Sequence, residues 1–103
     1  MTKALRDEEL TQTDKQRLLR FYTAIRTLKS NDECVAFFRD LCTITELKAF
    51  GERFAIAELL SKDATYRSAS DETQASTTTV TRVAHWFNHG TGGYRTALSR
   101  LKK

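Results

Sequence analysis

Apolar residues recur along this chain at three- and four-residue steps, the repeat of a helix that buries one face. Leu18, Phe21, Tyr22, Ile25 and Leu28 form such a stripe and predict a first helix from about Asp14 to Lys29. Residues 1–12 read as a polar, flexible lead, and residues 13–103 as one helical domain. Ser30 with Glu33 has the spacing of a capping box and opens a second helix, with Val35, Phe38, Leu41 and Cys42 expected to face inward. Thr43 with Glu46 repeats the signal and opens a third helix, to about Lys62. There Leu47, Phe50, Phe54 and Ala57 form one stripe, while Ala49, Ile56, Leu59 and Leu60 widen it past half the circumference. A helix apolar over so wide an arc is central and needs cover on two sides, part of it from a second subunit.

Thr65 caps a short fourth helix to about Thr73, and Ser76 a fifth to about Asn88. The glycine-rich break His89–Gly93 precedes a last helix from Tyr94 to Leu101, with Tyr94, Ala97, Leu98 and Leu101 on one face. With no proline, only four glycines and no sustained two-residue alternation, the expected class is all-α with six helices.

Composition changes this picture in one respect. Residues 1–63 carry eleven basic and eleven acidic side chains, which cancel. Residues 64–103 carry six Lys or Arg against Asp71 and Glu72, so the whole net charge of +4 lies there. A locally basic segment favours a phosphate-bearing partner. No apolar run spans a bilayer and no secretory leader opens the chain, so a cytoplasmic protein without membrane contact is expected. Cys34 and Cys42 are then reduced thiols. Their spacing matches no common zinc pattern, so no metal or cofactor is expected, and His85 and His89 read as a partly exposed helix face.

The stretch Ser70–Trp86 carries the functional signal. Two short helices joined by a tight turn are the anatomy of a helix-turn-helix. Ala69 and Ser70 supply the apolar and small residues where the helices cross. Ala75 should be buried after the turn, and Val80 and Val83 should face the core. Gln74, at the turn position that commonly takes positive φ, stands where glycine costs least. The outer face of the second helix then presents short hydroxyls and an arginine. Ser76, Thr77, Thr78, Thr79, Thr81 and Arg82 are the candidate DNA contacts, with Arg67 on the preceding helix gripping the backbone.

At this point the chain resembles the tryptophan-repressor superfamily, in particular its YerC/YecD branch. The resemblance covers about residues 18–101. It rests on ECxxFFxDLCTxxEL at Glu33–Leu47, GERFAIAELL at Gly51–Leu60, TYR at Thr65–Arg67, ASTTTVTRV at Ala75–Val83, and the tail GTGGYRTALSRL. It implies an intertwined, all-helical homodimer with a helix-turn-helix at each end. Such a dimer reads a near-palindromic site through recognition helices roughly 34–36 Å apart. Relatives that sense tryptophan hold its indole between two arginines, matched here by Arg53 and Arg82. The following glycine of those relatives is Val83 here, and a small pocket residue is Trp86. Both add volume where the ligand would lie, so the chain is expected to fill this pocket itself and not to bind tryptophan.

The leading expectation is therefore a homodimeric, sequence-specific regulator, a repressor of transcription whose partner is double-stranded DNA. The alternative is a helical interaction or assembly module that keeps the helix-turn-helix scaffold without reading DNA. Enzymatic function ranks below both, because no nucleophile with its base, no phosphate-cradling glycine loop and no acidic metal cluster is in view. RNA binding is also less favoured, for want of aromatic stacking platforms.

Overall fold

The computed structural model describes residues 9–101 and contains six α-helices and no strand among them. In order they are α1 Gln12–Ile25, α2 Asn31–Leu41, α3 Ile44–Ser61, α4 Tyr66–Thr73, α5 Thr77–His89 and α6 Gly93–Leu101. The chain divides between Leu47 and Lys48, inside α3, into two compact units.

Capping chemistry explains most of the boundaries. Thr11 opens α1: its hydroxyl accepts the Asp14 N–H at 3.0 Å while the Asp14 carboxylate accepts the Thr11 N–H at 3.1 Å. This box starts the helix at Gln12, ahead of the expected Asp14, so residues 11 and 12 belong to the helix start and not to a flexible lead. The rest of the expected lead, residues 1–8, lies outside the described residues. The helix also ends early. The N–H groups of Thr27 and Leu28 turn to the carbonyls three residues back, Ala24 and Ile25, and close the last turn. Ser30 accepts the Glu33 N–H at 3.1 Å, but the Glu33 carboxylate reaches past Ser30 to the Lys29 N–H at 2.8 Å. Thr43 and Glu46 form the full reciprocal box that opens α3.

The C-terminal end of α3 closes on a left-handed residue. Asp63 has φ 67°. Its N–H reaches the Leu60 carbonyl at 3.0 Å, and the Ala64 N–H reaches Leu59 at 3.1 Å, the bond pair of a Schellman motif. Aspartate tolerates this conformation better than most residues.

In the first unit, α1 and α2 contain no fully buried residue. Phe21 stacks on Phe37 at 6.0 Å between ring centres and meets Phe38 edge-on at 6.5 Å. These aromatic rings set which face of α2 turns inward. Cys34, Phe37, Phe38 and Cys42 are half-buried, whereas Val35 and Leu41, expected inward, are exposed. Leu19, Tyr22 and Ile44 are exposed as well. On α3, only Ile56 and Ala57 of the wide apolar arc are fully buried, and Phe50 is exposed. Leu47 and Ala49 are half-buried, so the N-terminal part of that arc is the least covered.

The second unit holds the core. Ile56, Ala57, Ala69, Ala75, Val80, Val83, Phe87 and Leu98 cluster there, with Phe54, Leu59, Leu60 and Tyr94 packed against them. The last helix is tied to α5 through Arg95. Its guanidinium lies 4.1 Å from the Phe87 ring centre, and its Nε and Nη2 donate to the Phe87 carbonyl and Asn88 Oδ1 at 3.2 Å each.

Candidate nucleic-acid interface

The site is built by the α4–turn–α5 pair. Thr65 caps α4 by accepting the Ser68 N–H at 3.0 Å, and Ser76 caps α5 by accepting the Thr79 N–H at 3.1 Å. Between them Gln74 sits in the left-handed region at φ 62°, ψ 16°, as its position in the turn requires. The turn is closed from the side chains: Ser70 Oγ donates to the Ala75 carbonyl at 2.7 Å, and the Ala75 N–H donates to Thr73 Oγ1 at 3.2 Å. Ala69 is fully buried and Ala75 nearly so, which seats the two helices on one another. A side chain longer than serine at position 70 would displace the turn.

Gln74 carries a testable cost. A left-handed non-glycine residue is strained by about 1–2 kcal/mol. Glycine gives back about 0.4–1 kcal/mol of this through its extra freedom in the unfolded chain. Gln74→Gly is therefore expected to raise the melting temperature by a few degrees, at roughly 4–8 °C per kcal/mol in a domain of this size. Asp63→Gly, at a position aspartate already tolerates, should gain less. A lower melting temperature for Gln74→Gly would contradict the turn geometry.

On α5 the helical repeat separates core from surface cleanly. Val80, Val83, Ala84 and Phe87 are buried. At ~100° per residue, Thr77, Thr78, Thr81, Arg82, His85, Asn88 and His89 fall on the opposite arc, and all are exposed. Of the predicted contact residues, Arg67, Ser76, Thr77, Thr78, Thr81 and Arg82 are thus at the surface, and Thr79 is half-buried.

Hydrogen bonding divides the hydroxyl run into two groups, a division that residue type does not reveal. Ser76 Oγ holds the Thr79 N–H and also pairs with Thr79 Oγ1 at 3.0 Å. Thr81 Oγ1 donates to the Thr77 carbonyl at 2.9 Å. These three hydroxyls are engaged in holding the helix. The side chains of Thr77 and Thr78 stand exposed on the first turn.

The electrostatics of the helix starts also differ along the chain. α1, α2 and α3 each carry an acid in their first turn: Asp14, Asp32 with Glu33, and Glu46. α4, α5 and α6 carry none. An acid at a helix start neutralises the partial positive charge of the free N–H groups there. The basic half of the chain leaves that charge in place, an arrangement suited to an incoming phosphate.

Of the residues matched to an effector pocket, Arg53 and Arg82 are exposed and Trp86 is half-buried, with its ring meeting His85 edge-on. Val83 is 3 % exposed and belongs to the core cluster. Gly90 ends α5 at a point where a Cβ would collide with the Trp86 carbonyl, so glycine is required there on steric grounds.

Among the described residues, no helix is long and apolar enough to cross a membrane. The chain is 40% identical over 95 residues to the uncharacterised protein YerC of Bacillus subtilis (strain 168), covering 89% of this chain and 91% of that one. Its fold is similar to a crystal structure described as a candidate Trp repressor from Staphylococcus aureus, with TM-score 0.81 at 32% identity over 90% of this chain and 96% of that one. It is similar as well to a TrpR-like protein from Eubacterium eligens ATCC 27750, with TM-score 0.79 at 36% identity over 93% of this chain and 95% of that one. The family described as Trp repressor protein matches residues 16–102, most of the chain. Capping, core, turn and family match agree, and the chain belongs to the Trp repressor protein family.

Proposed function

We propose that the protein is a sequence-specific DNA-binding regulator, a repressor, acting as a homodimer on a near-palindromic site. One observation carries the reading. The first turn of α5 presents Thr77 and Thr78, exposed and beside an uncompensated helix start, on a turn fixed by Gln74. Short hydroxyl side chains approach base edges without pushing the helix out of the major groove, and a threonine methyl meets the methyl of thymine. Ser76, Thr79 and Thr81 support this face by holding its backbone. Arg82 reaches a phosphate or a guanine edge, and Arg67 grips the backbone from α4.

The homodimer is supported by the first unit. Leu19, Tyr22, Val35, Leu41 and Ile44 are each more than half exposed. So much large apolar surface on a short helical unit is the mark of an interface. Two copies related by a two-fold axis would present two recognition helices to one face of the duplex.

The reading also holds that no tryptophan is required. Val83 fills core space, and Trp86, three residues on, is half-buried with its ring against His85. Admitting an indole would need rearrangement costing about 1–3 kcal/mol or more. Calorimetry with tryptophan is expected to show no binding at micromolar concentrations, and a micromolar dissociation constant would overturn this part.

Selection of bound DNA from a random pool tests the whole reading, the expected outcome being one enriched motif with two-fold symmetry. Arg67→Ala should weaken binding to most sequences about equally and reduce its salt dependence. Thr77→Ala should instead relax base preference more than total affinity. A stable dimer that enriches no motif would favour an assembly module.

A further inference from the structure

The reading face of α5 continues past Arg82 into residues to which DNA reading gives no role. At ~100° per residue, His85 and His89 fall within roughly 40° of each other. Both are exposed. Their ring centres lie 5.4 Å apart with the planes inclined at 49°. An ion bound ~2.1 Å from one nitrogen of each imidazole would hold the ring centres roughly 5 Å apart. The two ring centres therefore stand close to the separation that a shared ion would set. His85 is further steadied by Trp86, whose ring meets it edge-on at 4.9 Å and limits its rotamers.

We propose that His85 and His89 form a two-imidazole site for a first-row divalent transition ion. The donor chemistry fixes the class. Neutral imidazole suits Zn2+, Ni2+ and Cu2+, whereas Mg2+ and Ca2+ require oxygen ligands, and α5 contains no carboxylate. The remaining coordination positions are open to water. The pair lies in the last turns of α5, where the carbonyl end of the helix favours a cation. Arg82, one turn back on the same face, is the opposing charge and holds the affinity below that of a closed structural site. Spacing alone gave this pair no role; the ring separation and the indole contact supply it. The site rests on the geometry of α5 and is independent of the DNA-binding reading.

The test is titration of the full chain with Zn2+ and with Ni2+, each alone, in a non-coordinating buffer. One site per chain is expected, with a dissociation constant below about 1 mM. His85→Gln and His89→Gln keep good helix formers on an exposed face. Each should weaken binding by about tenfold or more, since the second ligand binds intramolecularly. Circular dichroism establishes that both variants keep the parent's helix content. A variant with Cys34→Ser and Cys42→Ser should bind as the parent does, and imidazole resonances should move on titration. Unchanged affinity in both histidine variants overturns the inference. So does a loss of binding that follows the cysteine variant, or equal competition by Mg2+.

Discussion

Thr78→Asp is expected to reduce affinity for the selected DNA site by about a hundredfold or more while leaving the fold intact or slightly stabilised. Thr78 is the second residue of α5, exposed, in a first turn with no acid. An aspartate there complements the helix start and contributes about 0.3–1 kcal/mol to the free protein. The same carboxylate faces phosphate and the electronegative base edges of the groove, and like charges brought together across an interface cost several kcal/mol. The two effects have opposite signs, so one variant separates folding from binding. Thermal melting should show an equal or higher transition, and a gel shift on the selected site should show the loss. Retained binding with an unchanged melt would remove the first turn of α5 from the interface. A loss of both would mean that the substitution had disturbed the fold and tested nothing about contact.

Phe87→Ala has the largest expected effect on stability. Phe87 is 8 % exposed, a member of the core cluster, and lies on the buried side of the same helix. Removing a buried phenylalanine costs about 3–5 kcal/mol, from lost apolar burial and from the cavity left behind. The Arg95 guanidinium, 4.1 Å from the ring centre, loses its partner too. A contact of this kind adds about 0.5–1 kcal/mol near a surface. Set against total stabilities of about 5–15 kcal/mol, this is a large fraction. The melting temperature should fall by more than about 12 °C. Arg95→Lys removes the planar stacking and the forked donation to Phe87 and Asn88 but keeps the core filled, so it should cost about 1 kcal/mol. If the two variants lost equal stability, the arginine clamp and not core filling would dominate at this corner.

The two faces of α5 answer to different physics. Its buried arc is an energetic matter, decided by volume. Its exposed arc is a chemical matter, decided by charge and hydroxyl placement. The hydroxyl run from Ser76 to Thr81 belongs to both, because the hydroxyls of Ser76, Thr79 and Thr81 hold the helix and Thr77 and Thr78 are left to the surface.

Much of this is legible in the amino-acid order alone. Caps at Ser30, Thr43, Thr65 and Ser76, the left-handed turn at Gln74, and the burial of Ala69, Ala75, Val80 and Val83 all follow from signals within a few residues of one another. A capping hydroxyl acts three residues away and a helical stripe repeats every three or four, so the linear chain carries these in full. The early start of α1 was equally local, written in Thr11 and Asp14, and was obscured only by the polar character of the segment around it.

The six helices, their order, the turn and the exposed arc of α5 are written in the linear chain. The packing of α2 on α1 is what leaves Val35 and Leu41 exposed and turns Phe37 onto Phe21. The grip of Arg95 on the end of α5 likewise rests on α6 lying beside it, whereas the committed hydroxyls and the two imidazoles pair within single turns of α5. The reason is physical. Capping and periodicity are settled within one helical turn, whereas burial and side-chain pairing depend on which surfaces meet, and an apolar residue carries no mark of the neighbour that will cover it.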